Sequence, residues 1–559
     1  MDEARKLVAR KKRLLQQRVT RQADVVCVRQ NSLDHHLRIP LVAEERSSVL
    51  RVLVERGMDL VVEVVEERGH APELLVFAET PRIGGGRRLD GEGMPEERLA
   101  RRVTGEGVPG LFAGGRQRGR YDTAALATTL VRQAAESFVI EGGRPLGGHV
   151  RTAGNKNGAL PILAACLLTE EPVTLTNVPR IRDVETMLEL LGGLGVDADW
   201  TGPNEVSVHA AELTTDEIDD VLAERIRASF LLAGPLLARR GHASVPPPGG
   251  DVIGRRRLDP HLHAFARLGA EIVLGDRYEL RAPGRLKGAP VFLDEASVMG
   301  TENTLMAAVI TPGETTITNA ACEPHVQDLC RFLISLGAEI EGVGSNVLRV
   351  RGVERLRGGS HRIGPEHIEV ASFIGLAAVT HSDITIDGAA ADDLVSIVPA
   401  FERLGVRVEL HDDSVRVPPD QELVIRNDLG DQIPKIEDGP WPAFPADLTS
   451  IALAVATQAS GTILIHEKMF ENRLFFADKL VSMGARIVIC DPHRALVTGP
   501  ARLYGQRMSS PDIRAGMALL IASLCAEGTS TIGNVSEIDR GYERIDERLR
   551  ALGASIERA

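Results

Sequence analysis

Leu336-Gly337-Ala338-Glu339-Ile340 is one of six variants of a single phrase in this chain. The others lie at Gly195 (LGVDA), Gly269 (LGAEI), Gly405 (LGVRV), Gly484 (MGARI) and Gly553 (LGASI). Successive glycines stand 74, 68, 68, 79 and 69 residues apart. One copy is an ordinary helix end. Six in step define a repeated unit, so the chain from about residue 136 onward reads as one unit copied six times.

Each copy carries more than the phrase. Upstream lies an apolar helical stretch: Ala159–Leu168, Ala228–Ala238, Asn303–Val309, Val370–Val379, Thr449–Thr457 and Ile513–Cys525. A β-branched run usually follows, as in Val173–Asn177, Thr315–Asn319, Asp383–Asp387, Thr462–His466 and Thr529–Asn534. A second, amphipathic helix then leads into the glycine, for example Asp183–Leu194, Val326–Leu336 and Arg544–Leu552. The glycine suits a helix C-terminus, where a left-handed residue is favourable only without a Cβ. The alternation after it reads as a strand. The unit is strand–helix–strand–helix–strand in kind, and the class is α/β.

Composition sets bounds. The 559 residues are enough for two to four domains. Only 3% are aromatic, so the core must be aliphatic. A net charge of −13 gives no support for a nucleic-acid surface over the whole chain. Six scattered cysteines, without a CxxC or a Cys–His cluster, fit free thiols in a reducing cytoplasm and argue against structural zinc. No run of 18 apolar residues predicts a membrane span, and the basic N-terminus lacks the apolar core of a secretory signal.

Residues 1–135 stand apart from the repeat, as an extension to which the sequence assigns no function. Ala4–Gln22 is a basic, weakly amphipathic helical stretch, open to a nucleic acid, an anionic membrane, a partner or plain solvent. Within 41–79 a helix followed by apolar runs Leu60–Val65 and Leu74–Phe77 reads as a small α/β piece. Residues 81–119 are rich in Gly and Arg and read as a linker.

Function should sit where the copies differ, because residues serving packing alone should be alike. Lys156, in Gly154-Asn-Lys-Asn157, stands at a helix start and reads either as an anion site or as a surface lysine. Pro246-Pro-Pro-Gly-Gly-Asp-Val-Ile-Gly-Arg-Arg-Arg257 has no counterpart in the other copies. Its prolines stiffen, its glycines permit unusual dihedrals, and three adjacent arginines repel one another unless an anion is near. The loop reads as a lid over an anionic substrate, or as a structural surface loop. Asp447, in Trp441-Pro-Ala-Phe-Pro-Ala-Asp-Leu448, reads locally as a helix cap before a base. Arg227, Arg473, Arg514 and Arg540 add forks suited to phosphate and carboxylate.

In this order the motifs GNKN, RAS with LAGPL, PPGGDVIGRR, PAFPAD, FENR and IDRGYERIDERLRALGA resemble the enolpyruvyl transferases, and among them the branch acting on UDP-N-acetylglucosamine. The resemblance runs from about Phe138 to the C-terminus. It implies a two-domain inside-out α/β barrel of six βαβαββ repeats, with residues 156–364 forming one globule, 136–155 and 365–559 the other, and the active site in the cleft. It also implies transfer of the enolpyruvyl group of phosphoenolpyruvate to the 3-hydroxyl of UDP-N-acetylglucosamine with release of phosphate, the committed step of peptidoglycan synthesis, without metal or other cofactor. Carried over by position, Lys156 meets phosphoenolpyruvate and Asn157 the sugar nucleotide. Arg227, Arg256, Arg473, Arg514 and Arg540 surround phosphate and carboxylate, and Asp447 is the base. Asp259 and Ser297 fall where the family meets the uridine diphosphate.

The chain departs from the pattern in places. Asp251 stands on the lid where well-known members have Cys, which implies an active enzyme indifferent to the epoxide fosfomycin. Arg182, His325 and Met299-Gly300 also depart, on the sugar-nucleotide side. Two alternatives remain open: transfer to another uridine nucleotide, and a sugar-nucleotide-binding regulator without catalysis.

Overall fold

The computed structural model describes residues 136–559 throughout, and before them the backbone of seven strands between Val25 and Arg102. The chain forms two compact units, Met1–Thr128 and Thr129–Ala559. In the first, Val25–Val28 pairs with Leu37–Pro40. Val42–Glu44, Ser47–Val54, Met58–Val65, Glu73–Glu79 and Arg101–Arg102 form an antiparallel meander in chain order. The helix expected at the start of 41–79 is therefore a strand. Ser47–Val54 carries valines at 49, 52 and 54, which lose side-chain freedom in a helix and fit a pleated sheet, and it pairs along its whole length with Met58–Val65. Ala4–Gln22 and most of 81–119 lie outside the described residues.

In the second unit the six glycine phrases are six copies of one helix ending. All six glycines have positive φ, from 82° at Gly405 to 111° at Gly484. At Gly337 the backbone N–H donates to Ile334 at 2.9 Å, and the next N–H, of Ala338, donates to Leu333 at 3.0 Å. The same pair of bonds recurs at Gly195, Gly269, Gly405, Gly484 and Gly553. This is the Schellman ending, which satisfies carbonyls that the helix leaves free. The apolar residue after each glycine is buried and pins the chain as it turns into a strand. A side chain at Gly337 would force a β-carbon into the left-handed region, at a cost of roughly 1–2 kcal/mol.

The third copy shows the whole unit: strand Pro290–Phe292, helix Val298–Ala308, strand Glu314–Thr318, helix Pro324–Ser335, and the hairpin Glu339–Glu341 with Val347–Arg351. The unit is βαβαββ. The returning hairpin strand is the element that the residue pattern alone did not separate. Six sheets result, five of four strands and one of three. In the three-stranded sheet the parallel edge strand is reduced to a single bridge, Glu217 to Ser244. The last sheet takes Ser137–Glu141 between Thr529–Gly533 and Ser555–Arg558, so the start of this unit is stitched to its end.

The first helix of each unit is apolar nearly all round, and such helices belong in an interior. His367–Val379 is buried at every position. It packs against Thr449–Ala456 and Ile513–Cys525, so sheets lie outside and helices inside. There are two such cores. One is built from Phe138–Val150 with Ile368–Ile556, the other from Ala159–Ile363.

Candidate active site

Lys156 opens the helix Lys156–Ala165, with Asn155 as the cap that accepts from Gly158 N at 3.0 Å. Its ammonium is buried and meets Asp183 at 2.7 Å. Asp183 lies in the first turn of the helix Arg182–Gly193, and its other oxygen accepts from Arg540 Nε at 2.9 Å. Arg540 closes the turn Val535–Arg540, reaches Glu537 at 2.7 Å and contacts the carboxylate of Asp251. Lys156, Asp183, Arg540 and Asp251 thus form one ion-paired chain between the two cores. Burial pushes the Asp183 carboxyl up, but Lys156 and Arg540 outweigh it and hold it below its usual range.

The Pro246–Arg257 loop is closed over this chain. Besides Asp251, its backbone is tied to the other half: Asn472 N donates to the Ile253 carbonyl at 3.0 Å, and Arg255 N donates to Glu471 at 3.1 Å. Close approach explains two glycines. A β-carbon at Gly249 would lie 1.7 Å from the Glu224 carbonyl oxygen, and one at Gly254 would lie 2.9 Å from the backbone nitrogen of Glu471.

Asp447 accepts from Arg473 Nη2 at 2.8 Å and from Arg514 Nε at 3.0 Å. The helix it precedes, Thr449–Ala456, has no side-chain cap, so the local reading of Asp447 as a cap gives way. Two buried arginines offer the carboxylate stronger partners than a helix N–H. Burial pushes the Asp447 carboxyl up, but Arg514 and Arg473 prevail and hold it well below the usual range. Arg473 is also ion-paired through Nε with the buried Glu467 at 3.8 Å, and Arg514 with the buried Glu366 at 4.0 Å.

A cavity of about 250 Å³ joins these groups. Lys156, Asn157, Arg227, Asp251, Arg256, Asp447 and Arg540 line it. Burial pulls the guanidinium of Arg256 down to about 9 and that of Arg227 to about 10, a strain that a bound anion relieves. Arg227 also braces the Pro246–Arg257 loop, donating to the Arg256 carbonyl at 2.6 Å. Arg473 and Arg514 stand behind Asp447. Asp259 and Ser297 are not on the cavity wall: Asp259 pairs with Arg257 at 3.2 Å on the surface, and Ser297 caps the helix Val298–Ala308, whose Val298 and Met299 do line the cavity. Asp183 escaped the sequence reading, because an acid in a first helical turn is ordinary dipole chemistry. Its only signal was its place beside the departure at Arg182.

Removing Asp183 leaves Lys156 and Arg540 without their shared counter-ion. We expect Asp183→Ala to raise KM for an anionic substrate by about tenfold or more, as positioning is lost. Initial rates over a substrate series check this, and an unchanged KM would refute it.

Residues 140–549 match the family described as EPSP synthase (3-phosphoshikimate 1-carboxyvinyltransferase). The chain belongs to this family of enolpyruvyl transferases. Within it, the UDP-N-acetylglucosamine 1-carboxyvinyltransferase of Bradyrhizobium diazoefficiens is 58% identical over 421 residues, covering 75% of this chain and 97% of that one. The protein of the same name from Treponema pallidum is 54% identical over 419 residues, covering 75% and 98%. The crystal structure of the enolpyruvyl transferase NikO from Streptomyces tendae superposes with a TM-score of 0.68 at 26% identity, covering 76% of this chain and 99% of NikO.

Proposed function

We infer that this chain transfers the enolpyruvyl group of phosphoenolpyruvate to the 3-hydroxyl of UDP-N-acetylglucosamine and releases phosphate, the first committed step of peptidoglycan synthesis. The observation that carries the inference is Asp447, held ionised between Arg473 and Arg514 on a cavity whose wall also carries Lys156, Arg227, Arg256 and Arg540. The relatives at 58% and 54% identity support the choice of acceptor.

The chemistry divides as follows. Lys156 and the arginines hold the phosphate and carboxylate of phosphoenolpyruvate in register. Asn157 meets the sugar nucleotide. Asp447 accepts the proton of the 3-hydroxyl as its oxygen bonds to C2 of phosphoenolpyruvate, while C3 gains a proton. We assign delivery of that proton to Asp251: once the substrate anion takes Arg540, the lid carboxyl is free to hold and donate it. Loss of a C3 proton and departure of phosphate then restore the double bond. We retain Asp259 and Ser297, at the lid's far end, as contacts of the uridine diphosphate.

Phosphate release from phosphoenolpyruvate tests the reading. We expect release with UDP-N-acetylglucosamine and none with UMP or shikimate 3-phosphate. No release with any of them would favour a regulator.

We also propose that residues 156–364 form one globule and 136–155 with 365–559 the other. The whole works in the cytoplasm, where its substrates are made. Because the match covers nearly all of the relatives' length, a chain lacking residues 1–128 is expected to keep kcat within about threefold. Loss of turnover on truncation would assign the extension a catalytic part.

A further inference from the structure

One stretch of the cavity lining has a different character from the rest. Glu302, 1% exposed on the helix Val298–Ala308, has a buried Oε1 without a partner among the described residues. Glu323 accepts from Trp441 N at 3.3 Å through one oxygen, and its other is buried and unpartnered. His325, 6% exposed, has no hydrogen-bond partner on either ring nitrogen among the described residues. Its ring runs near-parallel to that of His367, at 10° and 6.2 Å between centroids. All four residues line the same cavity.

The two imidazoles are uncharged. Burial drives His325 down to about 4 and His367 to about 3, so both imidazoles are neutral at pH 7. Burial also pushes the carboxyls of Glu302 and Glu323 up. Asn155 sets the tautomer of His367. Its oxygen accepts from Gly158 N, so its amide NH2 donates across 3.2 Å to His367 Nδ1, and Nε2 carries the proton. The two imidazoles therefore offer neutral hydrogen-bonding groups beside two buried carboxyls, whereas Lys156, Arg227, Arg256 and Arg540 carry positive charge. An unmet buried polar atom costs about 1–3 kcal/mol, and four of them on one cavity wall point to a ligand that meets them. An anion is poorly served by neutral imidazoles and by carboxyls in either protonation state. A ring bearing hydroxyl and amide groups can both donate to and accept from them. His325 and Asp447 line the same cavity, the space in which the acceptor hydroxyl must sit.

We propose that His325, with Glu302, Glu323 and His367 around it, is the specificity-determining subsite that hydrogen-bonds the uncharged sugar ring of the acceptor. This rests on the function proposed above.

The test compares the wild type with His325→Leu and His325→Gln in the full chain. H325L should raise KM for UDP-N-acetylglucosamine by about tenfold or more. KM for phosphoenolpyruvate and the Kd of uridine diphosphate, which lacks the sugar, should stay within about twofold. H325Q, which keeps a donor and an acceptor, should recover most of the loss. An unmoved KM for the sugar nucleotide, or a parallel weakening of uridine diphosphate, would overturn the proposal. If H325L does not fold, Glu302→Leu carries the same comparison. A wild type that releases no phosphate with UDP-N-acetylglucosamine sinks the function itself. An active wild type with an indifferent H325L sinks only the subsite.

Discussion

Asp447→Asn is expected to lower kcat for phosphate release by about a thousandfold, within the range that a positioned base commands. The change keeps the side chain's shape and removes its charge. Asn still accepts from one arginine, but it cannot take the proton of an attacking hydroxyl. The partners make the effect specific. Arg473 and Arg514 are both 4% exposed and both pair with Asp447. Loss of the carboxylate removes a negative charge from the cavity wall, so phosphoenolpyruvate should bind as well as before or better. The expected signature is a large fall in kcat with KM for phosphoenolpyruvate unchanged or lower. Because the arginines hold the wild-type carboxyl well below its usual range, Asp447 stays ionised from pH 8 down to 5, and no step in kcat over that window belongs to it. Steady-state phosphate release decides the matter: a loss under tenfold removes Asp447 from the role of base.

The lid gives the second large effect. Wild-type activity is expected to survive prolonged incubation with excess fosfomycin, whereas Asp251→Cys should be inactivated completely and irreversibly. An epoxide is opened by a thiolate far faster than by a carboxylate already paired to a cation, and Asp251 is paired to Arg540. The same arginine lowers the pKa of a thiol placed beside it and so makes D251C reactive. Mass spectrometry of D251C should show one added inhibitor on the lid. Complete inactivation of the wild type by stoichiometric fosfomycin would overturn the prediction, as would a D251C variant that resists it. Asp251→Ala tests the proton-delivery role separately and should abolish turnover.

Much of the fold was readable because its determinant is local. A left-handed residue at a helix end needs only glycine and its two apolar neighbours, so LGA announces itself wherever it recurs. The returning hairpin strand carries no such mark. Val347–Arg351 reads as a strand only once Glu314–Thr318 and Glu339–Glu341 lie on either side of it. The helix expected within 41–79 failed for a related reason. Apolar residues spaced along Ser47–Val54 satisfy either periodicity, and pairing with Met58–Val65 decides.

The site divides in the same way. Lys156, the Pro246–Arg257 loop and the arginines were visible as places where the copies disagree, which needs no knowledge of contacts. Asp183 was invisible and Asp447 looked like a cap. Each carboxylate owes its character to arginines 26 to 357 residues away in the chain. His325 shows the limit most plainly. As a residue type it marked only a departure, and its unmet ring nitrogens appear once Glu302, Glu323 and His367 are folded around it.

The sequence by itself determined the repeat, the α/β class and the inventory of charged groups, because helix endings and residue types are short-range properties. Only the tertiary structure decided which charges are paired, which line the cavity, and which polar atoms of its wall are left without a partner. Those depend on burial and on distances between segments that are far apart in the chain.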